Sequence, residues 1–221
     1  MRKKAKQGRA SSLAVAAMAF ACFAGAAQAQ GKLGTYTGTV AISGVESEKH
    51  SKVTFRANVK IAMPLTSGNA RSAMAEIGDV DKPSATATIL QWDLEARNAS
   101  PDSDGKITSW TCSLAAPTEV PMNASGVLNV DYTAKTHSMF VALVSTKPIA
   151  LKCMNSRSGA YRKTELVSLF FGTNEPDVLP YKELAFADAA RLAAKYTLVP
   201  VSQMKGRYLP VDMEWDFRLA R

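Results

Sequence analysis

The sequence predicts an all-β protein: an antiparallel β-sandwich or small barrel of about ten strands, with one short helix at most and one disulfide. Three observations carry this. From Val211 to Leu219, Val211, Met213, Trp215, Phe217 and Leu219 alternate strictly with Asp212, Glu214, Asp216 and Arg218, which puts the apolar set on one face of a half-buried strand. The same alternation runs from Val53 to Ile61. It returns as Leu90, Trp92, Leu94 and Ala96 against Gln91, Asp93, Glu95 and Arg97. Segments of this kind recur at short spacing between turn residues, with no longer repeat.

The N-terminus reads differently. Arg2, Lys3, Lys4, Lys6 and Arg9 precede an apolar run from Leu13 to Gly25 and a small-x-small signal at Ala27-Gln28-Ala29. This predicts a secretory signal peptide over residues 1–29, cleaved so that the mature chain begins near Gln30. Residues 30–221 then form a single β domain. The run is too short to cross a membrane and no second apolar segment follows, so no transmembrane helix is expected. The expected destination is the periplasm or the extracellular space.

The charge balance narrows the partners. Of 27 Lys and Arg residues five lie in the leader and none of the 19 acids do, which leaves 22 bases against 19 acids, a net +3. That is too even for a nucleic-acid binder, and acids and bases share the polar strand faces.

Taken in order, Leu33 to Ile42 is β-rich, with Tyr36, Val40 and Ile42 on one face and Gly38 among them. It should pair as a hairpin with Val53 to Ile61 through a polar link in which His50 is exposed. Pro64 should end the second strand. Ala73 to Ile77 reads as a helical turn or a short edge strand. From Ser84 to Arg97 the apolar parity switches between Ile89 and Leu90, which predicts a bulge there. After a turn over Asn98 to Lys106, Ile107 to Leu114 returns as a strand carrying Cys112. Pro117 and Pro121 punctuate a crossing to a hairpin, Val127 to Tyr132 and Ser138 to Val144, joined through Thr133 to His137. The strand after Pro148 carries Cys153. Leu166 to Phe171, apolar on both faces, reads as a central strand. A loop over Gly172 to Tyr181 precedes an alanine-rich stretch, Ala187 to Ala194, with Asp188 as a helix cap. Tyr196 to Val201 and the final strand complete the chain.

Cys112 and Cys153 are the two cysteines beyond the leader. Each shares strand parity with apolar neighbours, so both sulfurs should point at the core and form a structural disulfide. A redox-active thiol would want a second cysteine two residues away, and neither has one.

No catalytic residue is assigned. Asp212, Glu214 and Asp216 form a carboxylate row that suggests a glycoside hydrolase, which needs two carboxyls flanking the scissile bond. However, Arg218 continues the row, and the tryptophans fall on apolar faces, where they offer no sugar platform. Asp102-Ser103-Asp104-Gly105 resembles the front of a calcium loop, but Thr111 stands where the bidentate acid should be, and a hairpin turn uses the same residues. The two histidines, His50 and His137, lie in polar turn sequence and support neither a Ser-His-Asp relay nor a metal site. No metal or other cofactor is expected.

The best binding candidate is the loop Lys152 to Lys163, where Arg157, Tyr161, Arg162 and Lys163 could hold an anionic partner through charge-assisted hydrogen bonds: a glycan, a protein or a lipid. The leading reading is therefore an exported, non-catalytic β-sandwich that works by binding. The rivals are a carrier of lipid or another small apolar ligand inside the sheet, an outer-membrane β-barrel and a glycoside hydrolase-like enzyme.

Overall fold

The computed structural model of this chain describes residues 34–78, 82–157, 161–171, 183–198 and 208–220. The predicted leader and the loop over 172–181 lie outside these residues. The protein is all-β, and no helix occurs among the described residues. Thirteen antiparallel strands join in one sheet: β1 (Thr35–Ser47), β2 (Ser51–Gly68), β3 (Ser72–Ile77), β4 (Ala85–Arg97), β5 (Ser109–Leu114), β6 (Thr118–Asp131), β7 (Thr136–Ser145), β8 (Ile149–Asn155), β9 (Tyr161–Val167), β10 (Phe170–Phe171), β11 (Leu184–Ala185), β12 (Arg191–Leu198) and β13 (Tyr208–Ala220).

Several of these are consecutive pieces of one row. β3 and β4 both pair with β2, at Leu65↔Ala75 and Ile61↔Ala85. β5 and β6 both pair with β4, at Asp93↔Ser113 and Ile89↔Thr118. β7 pairs with β6 and β8 with β5, while β10 and β11 lie along β7 and β9 along β8. The rows from the first strand on therefore follow one another in chain order as a meander: β1, β2, β3 with β4, β5 with β6, β7 with β8, β9 with β10 and β11; β12 pairs with β13. The last strand returns to the first, with Thr35↔Ala220 through Glu46↔Tyr208 in register.

The breaks explain the prolines. Pro64 does not end β2, which runs on to Gly68. It falls between the part of β2 laddered to β4, which stops at Ile61, and the part laddered to β3, which starts at Leu65. Pro121 lies inside β6, one residue before the ladder to β7 begins at Met122↔Ser145. Proline cannot donate to a ladder, so both sit where a row is interrupted.

The predicted bulge in β4 is present. Arg56 faces Gln91 and Ala57 faces Ile89, so Leu90 is the extra residue that reconciles the two apolar registers. The predicted helix over Ala187 to Ala194 is not formed. Asp188 caps a turn instead, its Oδ1 accepting the Ala190 N–H at 2.8 Å, and β12 starts at Arg191 with Leu192 buried. Alternation of exposed and buried side chains along β12 outweighs alanine's helix propensity once β13 offers a ladder.

One face of the sheet is apolar almost throughout and buried: Val40, Val59, Ala87, Met122, Leu143, Leu151, Leu192 and Phe217 belong to one core cluster. The sheet curls enough for the inner faces of distant rows to meet. The Trp215 indole Nε1–H on β13 donates to His137 Nε2 on β7 at 3.1 Å, and the Tyr36 hydroxyl on β1 donates to the Ala189 carbonyl at 2.7 Å. Phe55, Trp92 and Phe171 stack against one another, with ring centroids 5.6 to 6.1 Å apart. Gly38 lies opposite Phe217 in the β1–β13 ladder, and a Cβ there would lie 1.9 Å from the Asp216 carbonyl oxygen. Cys112 and Cys153 face each other across β5 and β8 and form the expected disulfide, with both residues buried.

Candidate functional site

Side chains on the outer face differ from one half of the sheet to the other. Over β12, β13, β1 and β2 the outward positions are mostly polar, and several are paired across strands. Asp216 accepts two hydrogen bonds from the Arg191 guanidinium, at 2.9 and 2.7 Å, and these hold its carboxyl below the usual carboxylate range. Asp212 accepts the Thr197 hydroxyl at 2.6 Å. Glu214 stands between them, opposite Lys195 and Ala41. The carboxylate row thus serves as the charged face of an ordinary strand pair, with two of its three acids engaged by neighbours on β12.

The Asp102 turn is likewise closed by its own chain. Asp102 Oδ1 accepts the N–H groups of Asp104 and Lys106 at 3.0 and 3.1 Å. Its other oxygen pairs with Arg157, which also lies 3.8 Å from Asp104. Among the described residues no cluster of His, Cys, Asp and Glu has a metal-holding arrangement.

These contacts revise the basic loop. Arg157 is neutralised by Asp102 and Asp104, and Lys163 by Glu165 at 2.7 Å, with its ammonium also 4.9 Å from the Trp110 ring centroid. Tyr161 and Arg162 lie on β9, and their side chains fall outside what is described, as do residues 158–160. The three cations and the aromatic expected to act together are therefore not shown as one cluster, and Arg157 and Lys163, whose side chains are described, are partnered by local acids.

His137 departs furthest from expectation. It does not lie in an exposed turn but is 1% exposed in the core, accepting the Trp215 indole and stacking near Phe186. Burial pushes its pKa below 6.5, with the Leu184 backbone acting in the opposite direction. His50, expected to be exposed, is half-buried in the β1–β2 turn, its carbonyl accepting the Arg97 N–H at 2.9 Å.

The outer face of β7 to β10 carries an apolar strip. Val144 pairs in register with Phe170, and they are 45% and 43% exposed. Leu166, 66% exposed, pairs with Ala150. The Ser145 N–H donates to the Leu169 carbonyl at 2.9 Å and the Leu169 N–H to the Ser145 hydroxyl at 2.8 Å, so the two pairs lie along one outward face, with the exposed Ser168 between Leu166 and Phe170. Met154 and Lys152 are exposed further along β8, and Lys147 is exposed in the β7–β8 connection. Leu166 to Phe171 is therefore not a central strand. Among the described residues it is the last row of its part of the ladder, apolar on both faces because one face packs and the other is exposed. The doubly apolar run was the available sequence signal, and it marked this surface.

On the same side of the sheet, Ser67, Asn129, Asp131, Thr136, Ser138 and Glu183 line an open concavity of about 560 Å³. Its polar groups serve local turns: Asp131 Oδ1 accepts the N–H groups of Thr133 and Ala134 at 2.8 Å each.

Comparison with family models, curated proteins and solved structures returns no match for this chain. The functional reading therefore stands on these residues.

Proposed function

We propose that this protein is an exported, non-catalytic β domain that works by binding, through the outer face of β7 to β10. The observation that carries the reading is the exposed band of Val144, Leu166 and Phe170, held rigidly on a laddered sheet whose other outward rows are mostly polar. Exposed apolar side chains gathered on one face of a folded domain are costly in water and point to an interaction site. The inner apolar rows support binding on the outside rather than within. Tyr36, Met63, Leu128, Leu143 and Phe217 are fully buried and packed on one another. The carboxylates of β13 have hydrogen-bonding and ionic partners that a pair of catalytic acids would have to give up. The leader sequence at residues 1–29 supplies the export half of the proposal.

The test is intact-mass and native mass spectrometry on protein recovered from the periplasmic extract of an expressing bacterial cell, before and after thiol reduction. The expected species begins at Gln30, carries one disulfide and brings no small molecule with it. A chain that stays in the cytosol with residues 1–29 attached would remove export. A co-purifying mass lost on solvent extraction would move the site to the interior and make the protein a carrier.

A further inference from the structure

The apolar strip lies in the most basic stretch of the domain. From Thr136 to Phe171 the chain has five basic side chains, Lys147, Lys152, Arg157, Arg162 and Lys163, and one acid, Glu165. That acid is paired with Lys163. Lys147 and Lys152 are exposed beside the strip, and among the described residues neither takes part in an ion pair. Lys152 shares the outward parity of Ala150 and Met154 on β8, and Lys147 lies between the Val144 and Ala150 ends of the band.

We propose that this surface docks on an anionic lipid bilayer, with Val144, Leu166 and Phe170 entering the boundary between headgroups and acyl chains and Lys147 and Lys152 meeting lipid phosphates. The proposal rests on the binding reading above and names its partner. Three features favour it. Apolar side chains flanked by lysines combine the two forces that hold a protein at a membrane surface, burial of apolar area and attraction to negative headgroups. The outward rows of β13 and β12 carry Asp212, Glu214, Asp216, Arg191 and Lys195, so that side is suited to water and the docking is peripheral. A two-fold contact with a second copy would bring two net-basic copies of this surface together, whereas an anionic surface complements the lysines.

The experiment is co-sedimentation of the protein, as recovered from expressing cells, with vesicles of phosphatidylglycerol and phosphatidylcholine or of phosphatidylcholine alone. Binding should need the anionic lipid and weaken with salt. Leu166→Ser with Phe170→Ser should lower the affinity roughly tenfold, and Lys147→Gln with Lys152→Gln should lower it and flatten the salt dependence. Arg56→Gln with Lys60→Gln removes equal charge from the outward face of β2 and should change nothing. Circular dichroism checks that each variant is folded. If the serine pair misfolds, the lysine pair against the β2 pair decides. No binding to the anionic vesicles, equal loss from the β2 pair, or unchanged binding by folded Leu166→Ser/Phe170→Ser protein would overturn the proposal. A concentration-dependent dimer abolished by the serine pair, without vesicle binding, would reassign the strip to self-association. None of these outcomes touches export, which mass and fractionation read separately.

Discussion

His137 is a core residue of β7, 1% exposed and bound to the Trp215 indole. Its neighbours Thr133, Lys135 and Thr136 are polar, yet the β6–β7 ladder ends at Asp131↔Thr136, so His137 is already the first inward position of β7. Trp215 donates to Nε2, which requires the neutral ring. Because folding lowers this pKa below 6.5, the unfolded chain binds a proton that the folded chain does not as pH falls below that value. Stability from this group is therefore complete above pH 6.5 and is lost as the pH drops towards the folded-state pKa. Urea midpoints measured from pH 8 to 5 should fall over that acid limb. His137→Leu should flatten that part of the profile and cost roughly 1–3 kcal/mol above pH 6.5, since it leaves the Trp215 N–H buried without an acceptor. Nothing within one strand's alternation pattern could reveal this pair, because its partners are 78 residues apart in the chain.

At the level of elements, alternation was enough to find most strands and to place the disulfide. Cys112 and Cys153 share parity with Leu114 and Leu151, and the register sets those same residues opposite each other on β5 and β8. The crosslink spans 41 residues between rows that are already neighbours. Replacing both cysteines by serine should cost roughly 3–4 kcal/mol, read as a lowered denaturant midpoint with the far-ultraviolet dichroism of the folded protein unchanged. Expectation and structure part where two local rules compete. Ala187 to Ala194 has helix composition, but the long ladder of β13 recruits it as a strand. Pro64 is a strand breaker in isolation, but β2 continues through it at an interrupted row. The apolar run from Leu166 to Phe171 satisfies the pattern of a central strand, and composition does not say whether a second face is covered.

For the whole molecule, the decisive contact joins the ends of the domain. β13 lies between β12 and β1, and it supplies Met213, Trp215 and Phe217 to the core. Folding that depends on so distant a pairing must close a long loop before the contact offsets the entropy lost, which makes it slow. A chain ending before Tyr208 should lose the β1 ladder and the His137 partner together. It should show no near-ultraviolet dichroism and bind a hydrophobic dye, whereas the full chain should unfold in one cooperative transition. The sequence by itself determined the all-β class, the inward and outward faces, the β4 bulge and the cysteine pairing, because each follows from a period of two along a single strand. Only the tertiary structure decided that the rows form a meander returning β13 to β1, that His137 is a core residue, that Arg157 and Lys163 are spent on local acids and that Val144, Leu166 and Phe170 face outward together. Those depend on which distant rows cover one another, and a pattern local to a strand carries no information about its cover.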